Sequence, residues 1–257
     1  MRRGWNGGIP ALAEELARLK PDVIVTAGCF QATEAARQAT TTIPIVMTTG
    51  ADPVSLGLVT SLARPGGNIT GMTKITSELG GKRFQLLREL MPKLSRLAVL
   101  WHVNRASALA IPDYEGVARA ERVTLQLLGV RRLDEVATAF SSMDRDRAEA
   151  LIVIVSAQFF PRRKELADLA IQHRLPTMHA QAEYVEAGGL MSYAPSYREF
   201  FRRAAIYVDK ILNGARPGDL PIEQPSKLEM VINLKTARAL GVVIPQSILL
   251  RADRVIE

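Results

Sequence analysis

The run Ala150-Leu151-Ile152-Val153-Ile154-Val155-Ser156, ALIVIVS in one-letter code, decides the fold of this chain. It is apolar at nearly every position and rich in β-branched residues. A continuous apolar run of this length predicts a β-strand that is covered on both faces. Strands of that kind belong to parallel sheets with helices on either side, so the run predicts an α/β protein.

Short apolar stretches and amphipathic stretches alternate on both sides of this run. The further strands predicted are 23–27, 43–49, 69–72, 96–102, 123–130, 175–179 and 190–193. The helices predicted are 11–19, 31–38, 54–62, 82–90, 114–122, 133–141, 161–173, 183–187 and 197–212. Strands that alternate with helices in this way indicate βαβ units and parallel sheets.

The alternation is interrupted near residue 72, near Pro195 and between Pro217 and Lys227. We interpret these breaks as the places where the chain passes between two lobes. The predicted first lobe consists of residues 1–71 and 195–220, and the predicted second lobe consists of residues 72–194 and 221–257.

Composition and charge exclude several classes of protein. The chain has 257 residues, 47% of them hydrophobic, so it can bury a sizeable core. The net charge of +7 comes from basic residues scattered among acidic ones, without zinc-finger or RNA-binding motifs, so no nucleic-acid partner is predicted. Cys29 is the single cysteine, which excludes an intrachain disulfide. No stretch reaches the roughly 18 apolar residues that a membrane-spanning helix requires.

Candidate ligand-binding residues follow the predicted strands, because parallel α/β sheets bind ligands at the carboxyl ends of their strands. They are mostly hydroxyls, amides, glycine and aromatic residues, which suit a small polar solute. The candidates are Thr26, Gly28, Thr48, Thr49, Asp52, Asn104, Ser107, Ser156, Gln158, Tyr184 and Tyr193. His102, Gln181 and Ser192 lie in the same junctions. For any single one of them, a cap or turn at a strand–helix junction is an equal alternative.

Motifs of enzymes and cofactor sites are absent from the sequence. It contains no G-x-S-x-G elbow, no phosphate-binding P-loop and no G-x-G-x-x-G. His102, His173 and His179 lack metal-ligand spacing. We therefore predict a protein without catalytic residues, cofactor or metal.

Several long stretches resemble one family, the ABC transporter substrate-binding proteins that include the tryptophan-binding lipoproteins. The resemblance extends in order over nearly the whole chain. The stretches that carry it are 43–46, 52–54, 57–59, 61–71, 184–193, 202–212, 231–241 and 250–253.

The resemblance implies a type I periplasmic-binding-protein fold, in which two Rossmann-like lobes joined by a hinge close on a solute. It also implies a membrane permease and an ATPase as partners, and a periplasmic location for the full-length protein. Residues Trp5 to Leu19 match the region after the family's export signal and first β-α-β unit. We therefore expect the first lobe to be truncated and to have fewer strands than the second.

The function expected from these features is solute capture for an ABC importer by hinged closure. Residues from Thr26 to Asp52 would contribute from the first lobe and residues from Asn104 to Tyr193 from the second, with Asp52 pairing with the ammonium of an amino acid. Two alternatives stay open: an enzyme on a doubly wound fold, and the ligand-sensing domain of a transcription regulator.

Overall fold

The computed structural model describes residues 8–74, 77–225 and 227–257. The strands are β1 Ile24–Thr26, β2 Ile45–Gly50, β3 Ile69–Thr73, β4 Arg96–His102, β5 Thr124–Val130, β6 Ala150–Val153, β7 Thr177–His179, β8 Met191–Pro195, β9 Leu228–Asn233 and β10 Arg254–Ile256. The helices are α1 Gly8–Arg18, α2 Phe30–Ala39, α3 Ser77–Leu90, α4 Arg105–Ala108, α5 Ile111–Ala120, α6 Val136–Arg145, α7 Arg163–Gln172, α8 Ala182–Glu186, α9 Tyr197–Leu212, α10 Leu234–Leu240 and α11 Gln246–Leu249. Short 3-10 turns span Leu133–Glu135, Phe160–Arg162 and Pro217–Asp219.

The chain divides into two compact units. Unit 1 consists of residues 1–75 and 197–226, and unit 2 consists of residues 76–196 and 227–257. The predicted lobes change after residues 71, 194 and 220. The units of the structure change a few residues later in each case, after residues 75, 196 and 226. The predicted strand at 23–27 and the ALIVIVS strand belong to different sheets.

Unit 1 contains a parallel sheet in the order β1-β2-β3. Helix α9 packs on this sheet through Phe200, Ala204, Tyr207 and Ile211, which cluster with Val46 of β2 and Met72 of β3. All residues of β2 and β3 are buried, whereas Val25 in the edge strand β1 is 51% exposed. The sheet is therefore fully covered only over its β2 and β3 strands.

Unit 2 contains a seven-stranded sheet in the order β10-β9-β8-β7-β6-β4-β5. Successive residues of its central strands pack into two different cores. Leu97 and Val99 belong to one core, while Ala98 and Leu100 belong to the other. The ALIVIVS strand divides in the same way, which confirms that β6 is covered on both faces.

The sheets are mostly parallel, as predicted, with the exception of one pair of strands. β8 and β9 are antiparallel, with Pro195 opposite Leu228 and Met191 opposite Ile232. The chain leaves unit 2 after Pro195 and returns to it beside that residue, so β9 runs back along β8. The other adjacent pairs of both sheets are parallel, so the α/β fold with mostly parallel sheets is confirmed.

The helix predicted over 54–62 is wrong, because this segment forms a turn. Leu56 N–H donates to Asp52 O at 3.2 Å, which begins a helical turn. Gly57 then takes a left-handed conformation, with φ of +70°, and the backbone reverses so that Leu58 N–H donates to Pro53 O. Glycine at this position ends the helix after one turn.

Candidate functional site

The candidate residues of unit 1 meet where β1 and β2 end. Thr26 is the last residue of β1, and its hydroxyl lies 2.8 Å from that of Thr33 in α2. The Thr48 hydroxyl donates to Thr26 O at 3.1 Å, and Gly28 N–H donates to the Thr49 hydroxyl at 3.0 Å. The four threonines are buried, so their hydroxyls hold the two strand ends, α2 and the loop after β1 in one arrangement.

Asp52 lies in the turn after β2 and is half-buried. Its Oδ1 accepts hydrogen bonds from Val54 N–H at 3.0 Å and Ser55 N–H at 3.2 Å. Its Oδ2 accepts from the Ser55 hydroxyl at 2.7 Å. The capping interaction considered from the sequence is therefore present, although it caps a turn instead of a helix.

The candidate residues of unit 2 form three groups, of which the first follows β4. Asn104 Oδ1 accepts from Ser107 N–H at 2.9 Å and caps helix α4. The Asn104 amide group donates to the Ser107 hydroxyl and to His102 O, each at 3.1 Å. Its nitrogen also lies 2.9 Å from His102 Nδ1. Asn104 thus joins the end of β4 to the beginning of α4.

The second group follows β6, the neighbour of β4 in the sheet. Ser156 is buried, and its hydroxyl accepts from Gln158 N–H at 3.2 Å. The Gln158 side chain is exposed. Phe159 is buried and meets the His102 ring edge to face, with the ring centroids 6.1 Å apart. This contact brings the loops after β4 and β6 together at one edge of the sheet.

The remaining two candidates of unit 2 are tyrosines, and they pack against different faces of the sheet. Tyr184 of α8 is buried in the core that contains Leu100 and Val153. Tyr193 of β8 packs against the core that contains Val99 and Ile152, and its carbonyl accepts from Arg83 Nε at 2.9 Å. The sheet therefore separates these two side chains.

His179 was given no role by the sequence reasoning, yet it ends β7 beside Tyr184. The two rings are stacked, with centroids 5.0 Å apart and an interplanar angle of 20°. His179 Nε2 lies 3.0 Å from the Thr177 hydroxyl. Burial lowers the pKa of His179 to about 3, so the ring is neutral near pH 7. Its position at the carboxyl end of a predicted strand was the signal that could have identified it.

Residues 8–74, 77–225 and 227–257 contain neither a metal-binding cluster nor a membrane-spanning helix. Within these ranges, no three His, Cys, Asp or Glu side chains are grouped so that they could hold a metal ion. No helix in the same ranges is long and apolar enough to cross a membrane.

Two α/β units with hydroxyl and amide groups at the carboxyl ends of their strands define a type I periplasmic-binding-protein fold. The model of the family described as ABC transporter substrate binding protein matches residues 7–256. The chain therefore belongs to the ABC transporter substrate-binding proteins, and the family predicted from the sequence is confirmed.

Three similar proteins illustrate this membership. A tyrosine-binding protein of Clostridioides difficile (strain R20291) is 27% identical over 231 residues, which are 90% of this chain and 66% of that protein. An ABC domain from Streptococcus pneumonia, solved in complex with L-Trp, has a TM-score of 0.89 at 24% identity. A conserved domain protein from Vibrio cholerae has a TM-score of 0.87 at 27% identity. Each of the two structural matches covers 96% of this chain and 83% of the other chain.

Proposed function

We propose that this protein captures an aromatic amino acid for an ABC importer and does not change it chemically. The observation that carries the proposal is the polar, mostly uncharged set of side chains at the carboxyl ends of the strands in both units. Such groups fix the orientation of a small polar solute but offer few acids or bases for catalysis. The names of the similar proteins, which refer to tyrosine and L-Trp, support the choice of solute class.

The proposed mechanism is hinged closure on the solute. The candidate residues from Thr26 to Asp52 bind it from unit 1, and the candidates from Asn104 to Tyr184 bind it from unit 2. Tyr193 is left out, because it packs on the other face of the unit 2 sheet. The solute shifts the protein toward the closed form only by its higher affinity for that form. The loaded protein then delivers the solute to a permease and an ATPase, outside the cytoplasm, as the family membership suggests.

The experiment is a thermal-shift and calorimetric titration of the chain with L-tyrosine, L-tryptophan, L-phenylalanine and L-leucine. A solute at about 100 times its Kd stabilises the protein by about 2.7 kcal/mol, which raises Tm by several degrees. We expect this rise with the aromatic amino acids and recovery of the solute unchanged. If none of them raises Tm or gives heat at millimolar concentration, the proposal is wrong.

Gln158→Ala provides a clean test of the unit 2 residues. Within the described residues the Gln158 side chain makes no hydrogen bond, and only its backbone N–H does. The substitution should therefore leave stability within about 0.5 kcal/mol of the wild type. Loss of a contact with the solute would weaken binding roughly two- to tenfold, as expected for one hydrogen bond.

A further inference from the structure

Four buried side chains at the ends of β7 and β8 have polar atoms without hydrogen-bond partners in the described part of the chain. The atoms are His179 Nδ1, Gln181 Oε1, Tyr184 OH and Ser192 Oγ. The residues are between 1% and 4% exposed. Native proteins leave few such atoms, because each costs about 1–3 kcal/mol. Four of them within residues 179–192 require an explanation.

The fold places these side chains together. His179 and Ser192 are neighbours in the parallel pairing of β7 and β8, so their side chains lie on the same face of the sheet. Tyr184 is stacked on His179. Gln181 is two residues beyond the end of β7 and directly precedes α8. Ser192 is the second residue of β8, but its pairing with His179 places it level with the carboxyl end of β7. Ligands bind at the carboxyl ends of strands in parallel α/β sheets.

The neighbours of His179 allow the tautomer that carries its proton on Nδ1. The Thr177 hydroxyl accepts Leu190 N–H at 2.9 Å, so its own hydrogen is available to His179 Nε2. With Nε2 as the acceptor, a neutral imidazole carries its proton on Nδ1. Burial raises the pKa of Tyr184, so its hydroxyl also keeps its proton. The group thus offers three donors, from His179, Tyr184 and Ser192, and one carboxamide acceptor from Gln181.

The numbers of donors and acceptors indicate which chemical group could bind all four side chains. A single water accepts at most two hydrogen bonds, whereas a carboxylate accepts about four. The ring of an aromatic solute would leave all four atoms unpaired. An ammonium group alone could donate to Gln181 and to the two hydroxyl oxygens, but it offers no acceptor to His179 Nδ1–H.

We propose that His179, Tyr184 and Ser192 bind the carboxylate of the amino acid, while Gln181 Oε1 accepts one N–H of its ammonium. This assignment rests on the proposed function and names the part of the solute that unit 2 holds.

The test compares amino acids with their decarboxylated amines, L-tryptophan with tryptamine and L-tyrosine with tyramine, by calorimetry. Tyr184→Phe and Ser192→Ala remove one hydroxyl each and keep the rest of the side chain. A hydrogen bond to a charged group is worth roughly tenfold or more in affinity. We expect each variant to lose about that factor for the amino acids and to bind the amines as the wild type does.

Tyr207→Phe is the matched control in unit 1. Tyr207 is buried like Tyr184, but its hydroxyl donates to Pro221 O at 2.5 Å. This control should lower Tm and leave the affinity for amino acids unchanged. Tyr184→Phe and Ser192→Ala should not lower the Tm of the free protein, because the hydroxyls they remove have no partner in the described chain.

Two results would contradict the carboxylate assignment, and only the second would also contradict the proposed function. If the wild type binds the amino acids and the Tyr184 and Ser192 variants bind them equally well, the carboxylate subsite is wrong while the proposed function stands. If the wild type binds none of the amino acids, the proposed function fails and the subsite fails with it.

Discussion

At the scale of single residues, Asp52 has a structural role, and the proposed function gives it a binding role as well. Three hydrogen bonds from Val54 and Ser55 already occupy its two oxygens. A carboxylate has about four acceptor positions, so one remains for a further donor. The proposed further donor is the ammonium group of the solute.

Asp52→Asn distinguishes the two roles. An amide oxygen accepts the Val54 and Ser55 N–H groups as a carboxylate oxygen does, so stability should change by less than about 1 kcal/mol. The ammonium would lose a charge-assisted bond, and affinity for the amino acid should fall about 10- to 150-fold. Calorimetric titration measures this loss. The control is Asp134→Asn, which removes an exposed ion pair with Arg132 in unit 2. Unchanged affinity in Asp52→Asn would leave Asp52 as a cap alone.

At the scale of elements, β7 and the segment after it hold His179 in place. A Cβ at Gly189 would lie 2.5 Å from His179 Nε2, so a residue with a side chain would collide with the ring there. Tyr184 covers the ring on one face, and Thr177 hydrogen-bonds its edge. These contacts keep the imidazole buried and neutral. Because the unfolded chain would protonate it more readily, the free energy of unfolding depends on pH.

The pH dependence has a definite sign. The folded protein does not protonate His179 until pH falls to about 3, whereas the unfolded chain protonates it near pH 6.5. The unfolded state therefore binds more protons between these values, and stability falls as pH falls from 6.5. The loss from this residue is at most about 1.4 kcal/mol per pH unit.

Urea unfolding at pH values from 7 to 5 measures this slope. Hydrogen bonds from Ser247 and Arg251 lower the pKa of Glu89. A carboxyl group with a lowered pKa loses its contribution to the free energy of unfolding only below its ordinary pKa, which is 4.5 for Glu89. The range above pH 5 therefore excludes the contribution of Glu89 and retains that of His179. We expect a smaller slope in His179→Gln than in the wild type. Equal slopes in the wild type and His179→Gln would contradict the prediction.

At the scale of the whole molecule, the two units differ in how completely their sheets are covered. The described residues form three strands in unit 1 and seven in unit 2, which is the inequality expected from the sequence. In unit 2, β4 and β6 have neighbours on both sides and cores on both faces. In unit 1, β1 lies at an edge and exposes Val25.

Native-state hydrogen exchange should follow this difference. Amides in β4 and β6 should exchange most slowly, because only large-scale unfolding exposes strands that are paired and covered on all sides. Amides in β1 should exchange much faster, because an edge strand opens locally. Mass spectrometry of peptic fragments resolves these segments. Equal protection of β1 and β4 would show that β1 is covered in solution.

Much of the fold could be predicted from the sequence, because burial leaves a local pattern. Within the ALIVIVS run, β6 is apolar throughout because both of its faces are covered, and α9 was predicted with its observed ends. The antiparallel pairing of β8 and β9 has no such local signal. It depends on where the chain re-enters unit 2, which places Leu228 opposite Pro195. Contacts between residues far apart in the sequence determine this position.

The candidate site divides in the same way. The sequence by itself determined the family and the placement of the polar side chains at strand ends. Strand ends and turns produce local patterns of residues that can be recognised in a sequence. Only the tertiary structure decided which polar atoms have partners. Thr26 and Thr48 are bonded within unit 1, whereas His179, Gln181 and Ser192 retain buried atoms that no described residue pairs. Hydrogen bonds depend on distances between side chains that come together only when the chain folds, so no local pattern of residues specifies them.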